Sequence, residues 1–268
     1  MAIAAILLHD GISLMTENPD ELTSTRRTGH AGWWLTCYPT ATSTNDIARD
    51  LPPWSAVMAL RQTAGRGRLG RAFSSLDGGL WISAVLPAQG GPLRWNGFSL
   101  AVGRFLLSML RQSGVTDARL RWPNDLMVGS KKLGGILIEQ AAPEVLIVGL
   151  GLNLTNEPWL TDPTLEPIAT RLAAHLPAVP DIWDAARLAL DAIADAHHDM
   201  EVHGLGATID ALNQKWRAGS EVAIQPFDSE VVTGNFVGLD PTGNLRLLRS
   251  DGNLHIVEHQ RVERLIET

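Results

Sequence analysis

The sequence predicts an α+β protein that ends in a small all-β region. Up to Trp216, short apolar runs of strand type alternate with longer helical patterns. After Trp216 the chain changes to short β-type runs, separated by turn signals at residues 240–244 and 251–253. A chain of 268 residues with 45% hydrophobic residues can bury one large core, or one core and a small appended domain.

The individual elements follow from these patterns. The clearest strand-type runs cover residues 56–60, 80–86 and 145–150, and the clearest helical patterns cover residues 95–111 and 182–202. Five further β-type runs lie between residues 219 and 266. We expect them to form a β-barrel that is docked on the core, because about fifty residues bury little surface by themselves.

The N-terminal region has no decisive pattern. Residues 1–8 are apolar, but this run is too short to span a bilayer and lacks the basic flank of a signal peptide. Residues 17–32 are polar, so the region is either a poorly ordered lead-in or a first strand with a loop. The expected organisation is a lead-in at 1–32, a catalytic domain at 33–217 and a β domain at 218–268.

Charge and cysteine content limit the functional class. The 22 basic and 29 acidic residues give a net charge of -7, which argues against a protein that binds nucleic-acid backbones. The single cysteine, Cys37, cannot form an internal disulfide and is expected to be a small buried hydrophobe. A reducing, cytoplasmic location and no membrane association are expected.

The most unusual segment is QTAGRGRLGR, residues 62–71, in which glycines alternate with arginines. Such a composition suits neither a helix nor a strand interior, so the segment is expected to be a loop. Glycines let a backbone approach a ligand closely, and arginines bind phosphate or carboxylate groups. The alternatives are a flexible basic loop or an RNA-binding patch. The spacing matches neither GxxxxGK[ST] nor a GxGxxG turn that opens a helix.

A second segment, RWPNDLMVGSKKLGGILIE, covers residues 121–139. Pro123 should end a strand and present Asn124 and Asp125 at a turn, and a hairpin turn at residues 129–130 should return Lys132 beside them. The alternative is that Asp125 only caps its turn and that Lys132 is a solvated lysine. Paired glycines at residues 134–135 favour a site, because they suggest that something bulky lies against the strand.

Two weaker signals accompany these segments. Residues 43–46, STND, precede a short helical run and by default would form an N-cap. Residues 148–153, VGLGLN, form a strand in which alternate glycines open one face.

In this order, the four motifs STN, QTAGRGRLGR, RWPNDLMVGSKKLGGILIE and GLGLN resemble those of the biotin–protein ligases, over most of the chain from about Trp33 to the end. The resemblance implies a class II synthetase-like, biotin/lipoate-ligase catalytic core, in which a mixed sheet packs with helices, and a C-terminal SH3-like β-barrel. It also implies the monofunctional type, which has no N-terminal DNA-binding domain.

The resemblance further implies roles for individual residues. Catalysis falls to Lys132, Arg68 and Asp125, and Asp125 is also the implied metal ligand. Biotin binding falls to a set of ten residues: Ser43, Thr44, Asn45, Gln62, Gly65, Arg66, Gly67, Arg68, Lys132 and Gly135. Nucleotide binding falls to a partly overlapping set: Arg66, Arg68, Arg71, Phe73, Asn124, Lys132 and Asn153.

The implied reaction uses ATP, Mg²⁺ and biotin to form biotinyl-5′-AMP, and then transfers biotin to a lysine of a biotin carboxyl carrier protein. The implied assembly is a monomer or homodimer. Three features depart from the family: Phe73 stands where many relatives have tryptophan, Leu69 where a basic residue is common, and residues 259–261 where a Gly-Glu turn is usual. The alternatives are a lipoate or octanoate ligase of the same fold, a ligase that also represses transcription, and a non-catalytic nucleic-acid-binding module.

Overall fold

The computed structural model of the chain describes residues 5–8, 11–14, 24–216, 220–226 and 230–267. Strands β1 (Ala5–Leu8) and β2 (Gly11–Leu14) pair as an antiparallel hairpin. The large sheet begins with β3 (Ser24–Thr28), which pairs with β4 (Trp33–Ala41). In its described residues, the region that the sequence left undecided thus contains strands at 5–8, 11–14 and 24–28, and the last of these is followed by a turn.

In the described part of the chain, eight strands form one mixed sheet in the order β3-β4-β5-β6-β10-β9-β8-β7. The remaining members of this sheet are β5 (Ser55–Gln62), β6 (Gly79–Pro87), β7 (Ala118–Arg121), β8 (Asp125–Val128), β9 (Lys131–Ala142) and β10 (Val145–Asn153). Neighbours are antiparallel except β4 and β5, which are parallel and are connected through the short helix α1 (Thr44–Ala48). The strands expected at residues 56–60, 80–86 and 145–150 are confirmed.

The two faces of this sheet carry different cores, because side chains alternate along each strand. Met58, Ala84 and Val148 belong to the main core. Their neighbours in sequence, Val57, Val85 and Ile147, pack with α1 in a smaller cluster on the opposite face. Cys37 is buried in the main core, as expected, and burial raises the pKa of its thiol to about 11.

Two long helices contribute to the main core. They are α2 (Phe98–Gln112) and α3 (Ile182–His203), close to the helices expected at 95–111 and 182–202. A third helix, α4 (Gly206–Lys215), follows α3 and was not expected from the sequence. Among the residues that the structure describes, no helix combines the length and the apolar composition that a membrane crossing requires.

The C-terminal region forms an antiparallel sheet of its own, built in its described residues from five strands in the order β14-β13-β12-β11-β15. These strands are β11 (Glu221–Pro226), β12 (Val232–Leu239), β13 (Leu245–Leu248), β14 (Leu254–Val257) and β15 (Val262–Glu267). The small β domain is thus confirmed, whereas its closure into a barrel stays a prediction. The sheet docks on the core, where the Trp122 indole donates a 2.9 Å hydrogen bond to the carbonyl of Gly243.

A buried histidine lies where α3 packs on the sheet. The ring of His197 stacks on Trp95 with centroids 4.9 Å apart, and Trp54 meets it edge-on. Its Nε2 lies 2.7 Å from the carbonyl oxygen of Pro87, so this nitrogen carries the proton of the neutral ring. Burial lowers the pKa of His197 below its ordinary value of 6.5, although Pro87 and the nearby Glu201 act in the opposite direction.

This environment predicts a stability that falls at mildly acidic pH. Because the folded pKa of His197 is the lower one, the unfolded chain takes up the proton first, and stability is lost as the pH falls from about 7 to about 5. In His197→Gln the melting temperature should be lower at neutral pH but should fall less over this range. Thermal melts across the range, with the partly exposed His255→Gln of β14 as the control that keeps the wild-type slope, check this; equal slopes in all three proteins would contradict it.

Candidate active site

A cavity of about 620 Å³ opens on the α1 face of the large sheet. Its floor is made by strands β9 and β10, where Gly135 pairs with Gly151 and Leu137 with Gly149. Directly paired residues of antiparallel strands point to the same face, so the register gathers these glycines into one patch. The open face that the alternate glycines of β10 predicted is therefore confirmed.

Each floor glycine makes room for a side chain of the site. A Cβ added at Gly149 would lie 2.5 Å from Asn45 Oδ1, and one at Gly151 would lie 2.7 Å from the ring of Phe73. A Cβ at Gly135 would lie 3.3 Å from the Lys132 ammonium. Gly134 differs, since its added Cβ would meet the Gly151 carbonyl oxygen at 2.4 Å. Its small size thus serves the packing of the two strands.

The polar end of the cavity is built around the start of α1. Ser43 occupies the N-cap position, but its side chain does not cap the helix. The Gln62 side-chain carbonyl accepts hydrogen bonds from the backbone N–H and the hydroxyl of Thr44, at 2.8 and 3.1 Å. Asn45 donates to Glu139 at 2.8 Å, and its Oδ1 accepts from Ser83 at 2.5 Å. Among the described residues, the buried Ser43 hydroxyl has no hydrogen-bond partner, so it is available to a ligand.

The glycine-arginine segment is a loop, as expected. It follows β5 and contains a single 3-10 turn at Arg68–Gly70. The exposed Leu69 at its tip has a φ of 66°, in the left-handed region that disfavours leucine. Gly65, near the start of the loop, packs so closely that an added Cβ would lie 2.4 Å from Ser75 Oγ.

Each arginine of the loop already has a protein partner. Arg66 forms a two-pronged ion pair with Asp46 of α1, at 2.5 and 2.8 Å, and this contact lowers the pKa of Asp46. Arg68 donates to the carbonyl oxygen of His259, and Arg71 pairs with the Glu263 carboxylate of β15. The loop is therefore held between α1 and the C-terminal sheet.

The second segment forms the predicted hairpin. Strands β8 and β9 pair antiparallel around Gly129 and Ser130, and Lys132 Nζ lies 2.5 Å from Asp125 Oδ1. Arg121 binds the other oxygen of this carboxylate at 2.7 Å. The alternative of a solvated hairpin lysine is wrong, because the ammonium lies in the cavity and is ion-paired. The neighbouring Lys131 points elsewhere and donates to the Glu166 carbonyl at 2.9 Å.

Asp125 remains ionised between its two cationic partners. Burial by itself would raise the pKa of this carboxyl, but Lys132 and Arg121 outweigh burial and hold it below the ordinary value. A buried carboxylate fixed by Arg121 restricts the position of Lys132 through their short contact. Asp125 thus orients the ammonium toward the cavity.

The residues that the resemblance assigned to the site converge on this cavity, although their roles stay predictions. Gly65 is the exception, since it does not line the cavity and packs against Ser75 and Phe73 instead. The members that line the cavity are Ser43, Thr44, Asn45, Gln62, Arg66, Gly67, Arg68, Arg71, Phe73, Asn124, Asp125, Lys132, Gly135 and Asn153.

Two of the amides serve the protein itself. Asn124 donates to the Ile136 carbonyl at 2.8 Å and so ties the turn to β9. Asn153 donates to the Thr170 carbonyl at 2.9 Å and accepts from Asn156. It thereby anchors the segment that carries Leu165 and Ile168, which also line the cavity.

Sequence reasoning missed several residues of the site. Ser83 and Glu139 complete the polar network, and their position on strands next to the glycine patch is the signal that could have indicated them. Arg121 lies four residues before Asp125, across a turn already singled out. Glu263 has no sequence signal, because its partner Arg71 is 192 residues away.

Among the described residues, no group of three His, Cys, Asp or Glu side chains could hold a metal ion by itself. A single carboxylate is still compatible with Mg²⁺, which commonly binds through one or two carboxylates, waters and the phosphates of a nucleotide. Asp125 fits that role, because each of its oxygens has two lone pairs and only one is used by Lys132 or Arg121.

Comparisons with known proteins agree with this architecture. Residues 39–153 match the model of the Biotin/lipoate A/B protein ligase family. The bifunctional ligase/repressor BirA of Escherichia coli is 33% identical over 141 residues, which cover 46% of this chain and 44% of that protein. A biotin–[acetyl-CoA-carboxylase] ligase of Mycobacterium tuberculosis is 39% identical over 116 residues, which cover 40% of this chain and 42% of the relative. The matched segments thus span less than half the length of either relative.

A solved structure extends the comparison to the fold. The biotin protein ligase of Aquifex aeolicus, in complex with biotin and ATP, superposes with a TM-score of 0.76 at 25% identity, over 87% of this chain and 99% of the other. The chain therefore has the biotin protein ligase fold. More particularly, residues 39–153 are the part of the chain that matches the model of the Biotin/lipoate A/B protein ligase family.

The site predicts different roles for two adjacent lysines. For the adenylate-forming reaction proposed below, Lys132→Ala should lower the rate at least about tenfold, because a hydrogen bond to a charged group in a buried site is worth roughly 1.5–3 kcal/mol. Lys131→Ala should stay within about twofold of the wild type, because it loses only one exposed hydrogen bond. Pyrophosphate release and melting temperatures of both variants measure this. Equal losses of rate in the two variants would show that the site does not lie on the face of β9 that carries Lys132.

Proposed function

We propose that the chain is a biotin–protein ligase. It activates biotin with ATP to biotinyl-5′-AMP and then transfers biotin to a lysine of a biotin carboxyl carrier protein. The observation that carries this proposal is that three features meet in one cavity of about 620 Å³. They are the polar end around α1, the glycine floor of β9 and β10, and a cationic end formed by Lys132, Arg68 and Arg71. A protein of the same fold, from Aquifex aeolicus, is described in complex with biotin and ATP.

The polar end suits the head group of biotin, whose urea both donates and accepts hydrogen bonds. Ser43 offers a buried hydroxyl without a protein partner, while Thr44 and Gln62 are fixed by their mutual hydrogen bonds. Pre-organised groups lose little freedom on binding, which favours affinity. The glycine floor seats Asn45, Phe73 and Lys132 close against the sheet, and these side chains shape the path of the acyl chain toward Lys132.

At the cationic end, two anions must be brought together before they react, since the carboxylate of biotin attacks the α-phosphate of ATP and pyrophosphate leaves. Lys132, oriented by Asp125, lies where it can contact the carboxylate and then the phosphate. Arg68 and Arg71 add positive charge on the loop side. Mg²⁺ bound with ATP would offset part of the phosphate charge near Asp125.

The second step needs protection of the intermediate. Biotinyl-5′-AMP is a mixed anhydride, and the amine of the acceptor lysine attacks its carbonyl, forms the amide and releases AMP. Loop residues Arg66, Gly67, Arg68 and Arg71 form part of the cavity wall, and Leu165 and Ile168 form another part of it. Such walls would limit attack by water until the acceptor arrives.

The substrate assignment has a direct test. With ATP and Mg²⁺, biotin should support adenylate formation at least about tenfold better than lipoate or octanoate, because those acids leave the polar groups around Ser43 unpaired. Adenylate formation is followed by pyrophosphate release for each acid, with Lys132→Ala as the control for contaminating activity. Equal or greater turnover with lipoate would replace the proposal with a lipoate ligase.

The role of Ser43 is tested separately. Ser43→Ala should raise the KM for biotin about fivefold or more through loss of one hydrogen bond, while the melting temperature changes little because this hydroxyl binds no protein group. Ser55→Ala is the matched control, since Ser55 is also buried but does not line the cavity. A biotin KM that is unchanged in Ser43→Ala would remove this residue from the binding site.

A further inference from the structure

The contact between the glycine-arginine loop and β15 places a carboxylate in the wall of the cavity. Glu263 lines the cavity and pairs with Arg71, and His259, just before β15, accepts a hydrogen bond from Arg68 through its backbone carbonyl. Of the three loop arginines that the resemblance assigns to the nucleotide, Arg68 and Arg71 are thus engaged by the C-terminal region.

The partner of Arg71 differs from those of the other cations. Arg66 is neutralised by Asp46, and Lys132 shares Asp125 with Arg121, so each of these pairs is formed within the large sheet and its helix α1. Among the described residues that line the cavity, Arg71 is the cation whose acidic partner comes from the C-terminal sheet. A phosphate that binds Arg71 must displace that carboxylate or share the guanidinium with it.

We propose that Glu263 is an internal competitor of the nucleotide phosphates for Arg71 and thereby lowers the affinity of the site for ATP. The inference rests on the proposed function, because it takes ATP as the ligand of this end of the cavity. Binding of the phosphates exchanges the Arg71–Glu263 pair for an Arg71–phosphate pair, and the contact of β15 with the loop is released in that exchange.

The exposure of the pair makes such an exchange feasible. The side chains of Arg71 and Glu263 are 46% and 41% exposed, so their ion pair is screened by water and is weak. A phosphate presents more charge and more acceptor oxygens than a carboxylate does. The Arg71 guanidinium should therefore prefer the nucleotide, and Glu263 should reduce the apparent affinity only modestly.

A second ion pair on the same strand provides a matched control. Glu267 of β15 binds Arg119 of β7 at 2.6 Å, with side chains that are 38% and 35% exposed. This pair also links the C-terminal sheet to the core, but neither residue lines the cavity. A merely structural role for Glu263 would make the two glutamates equivalent.

The experiment measures the dissociation constant of ATP with Mg²⁺ by isothermal titration calorimetry, without biotin, for the wild type, Glu263→Gln and Glu267→Gln. Glu263→Gln should bind ATP about two- to fivefold more tightly, because glutamine keeps the shape of the side chain but no longer competes as an anion. Glu267→Gln should bind ATP as the wild type does. Melting temperatures should show that both variants are folded.

A double-mutant cycle with Arg71→Gln separates direct competition from a general charge effect. In the Arg71→Gln background, the gain from Glu263→Gln should disappear. Unchanged or weaker ATP binding by Glu263→Gln, equal tightening by Glu267→Gln, or a gain that persists without Arg71 would each overturn the inference. So would a wild type that binds no ATP.

Biotin-dependent release of pyrophosphate, measured in parallel, distinguishes a failure of the proposed function from a failure of the inference about Glu263. A wild type that binds ATP but forms no adenylate from biotin would contradict the proposed function, while the cycle would still decide the inference. A wild type that forms biotinyl adenylate, with Glu263→Gln indistinguishable in ATP affinity, would overturn the inference alone.

Discussion

The pairing register of β10 with β9 is the constraint on which the site depends. Side chains alternate along a strand. A shift of the β10 register by one residue would therefore turn Gly149 and Gly151 toward α2 and α3 and fill the cavity floor with leucine and valine side chains. The main core specifies the register, since Val148 and Leu150 must face α2 and α3. The same hydrophobic burial that stabilises the fold therefore also opens the cavity.

Charge compensation is the second organising feature. The cavity gathers several arginines and a lysine, and an unpaired cation in a partly buried site is costly. The structure meets this cost with carboxylates from three places: Asp46 on α1, Asp125 on β8 and Glu263 on β15. In the exchange proposed for Arg71, phosphates that enter the site displace Glu263, so ligand binding is coupled to the contact between the loop and the C-terminal sheet.

The C-terminal sheet thus contributes to the site although it carries none of the four motifs. It receives the Trp122 indole through the Gly243 carbonyl, directly beside the turn that presents Asn124 and Asp125. It also holds Arg68 and Arg71 of the loop. The glycine-arginine loop and the segment at residues 121–139 therefore both contact the C-terminal region, and the docking of that region affects both.

The sequence by itself determined the elements whose signals are local. The loop at residues 62–71 follows from the conformational freedom of glycine, and the open face of β10 follows from its alternate glycines. The turn after β7 follows from Pro123, and the β8–β9 hairpin follows from residues 129–130. Helix α4 was missed because its apolar pattern is short and weak. The strand at residues 24–28 was left undecided because β3 is polar. Strand β3 gains its stability from pairing with β4, which a local pattern does not record.

Only the tertiary structure decided which partners the charged residues take. The order of motifs indicated that Arg71 and Lys132 belong to one site, but nothing in the sequence connects Arg71 with Glu263 or the Gln62 amide with Ser75. Ion pairs and side-chain hydrogen bonds depend on distances of a few ångströms, and those distances are set when sheets and helices pack. Local sequence therefore specified the chemical groups, and long-range packing specified how they are paired.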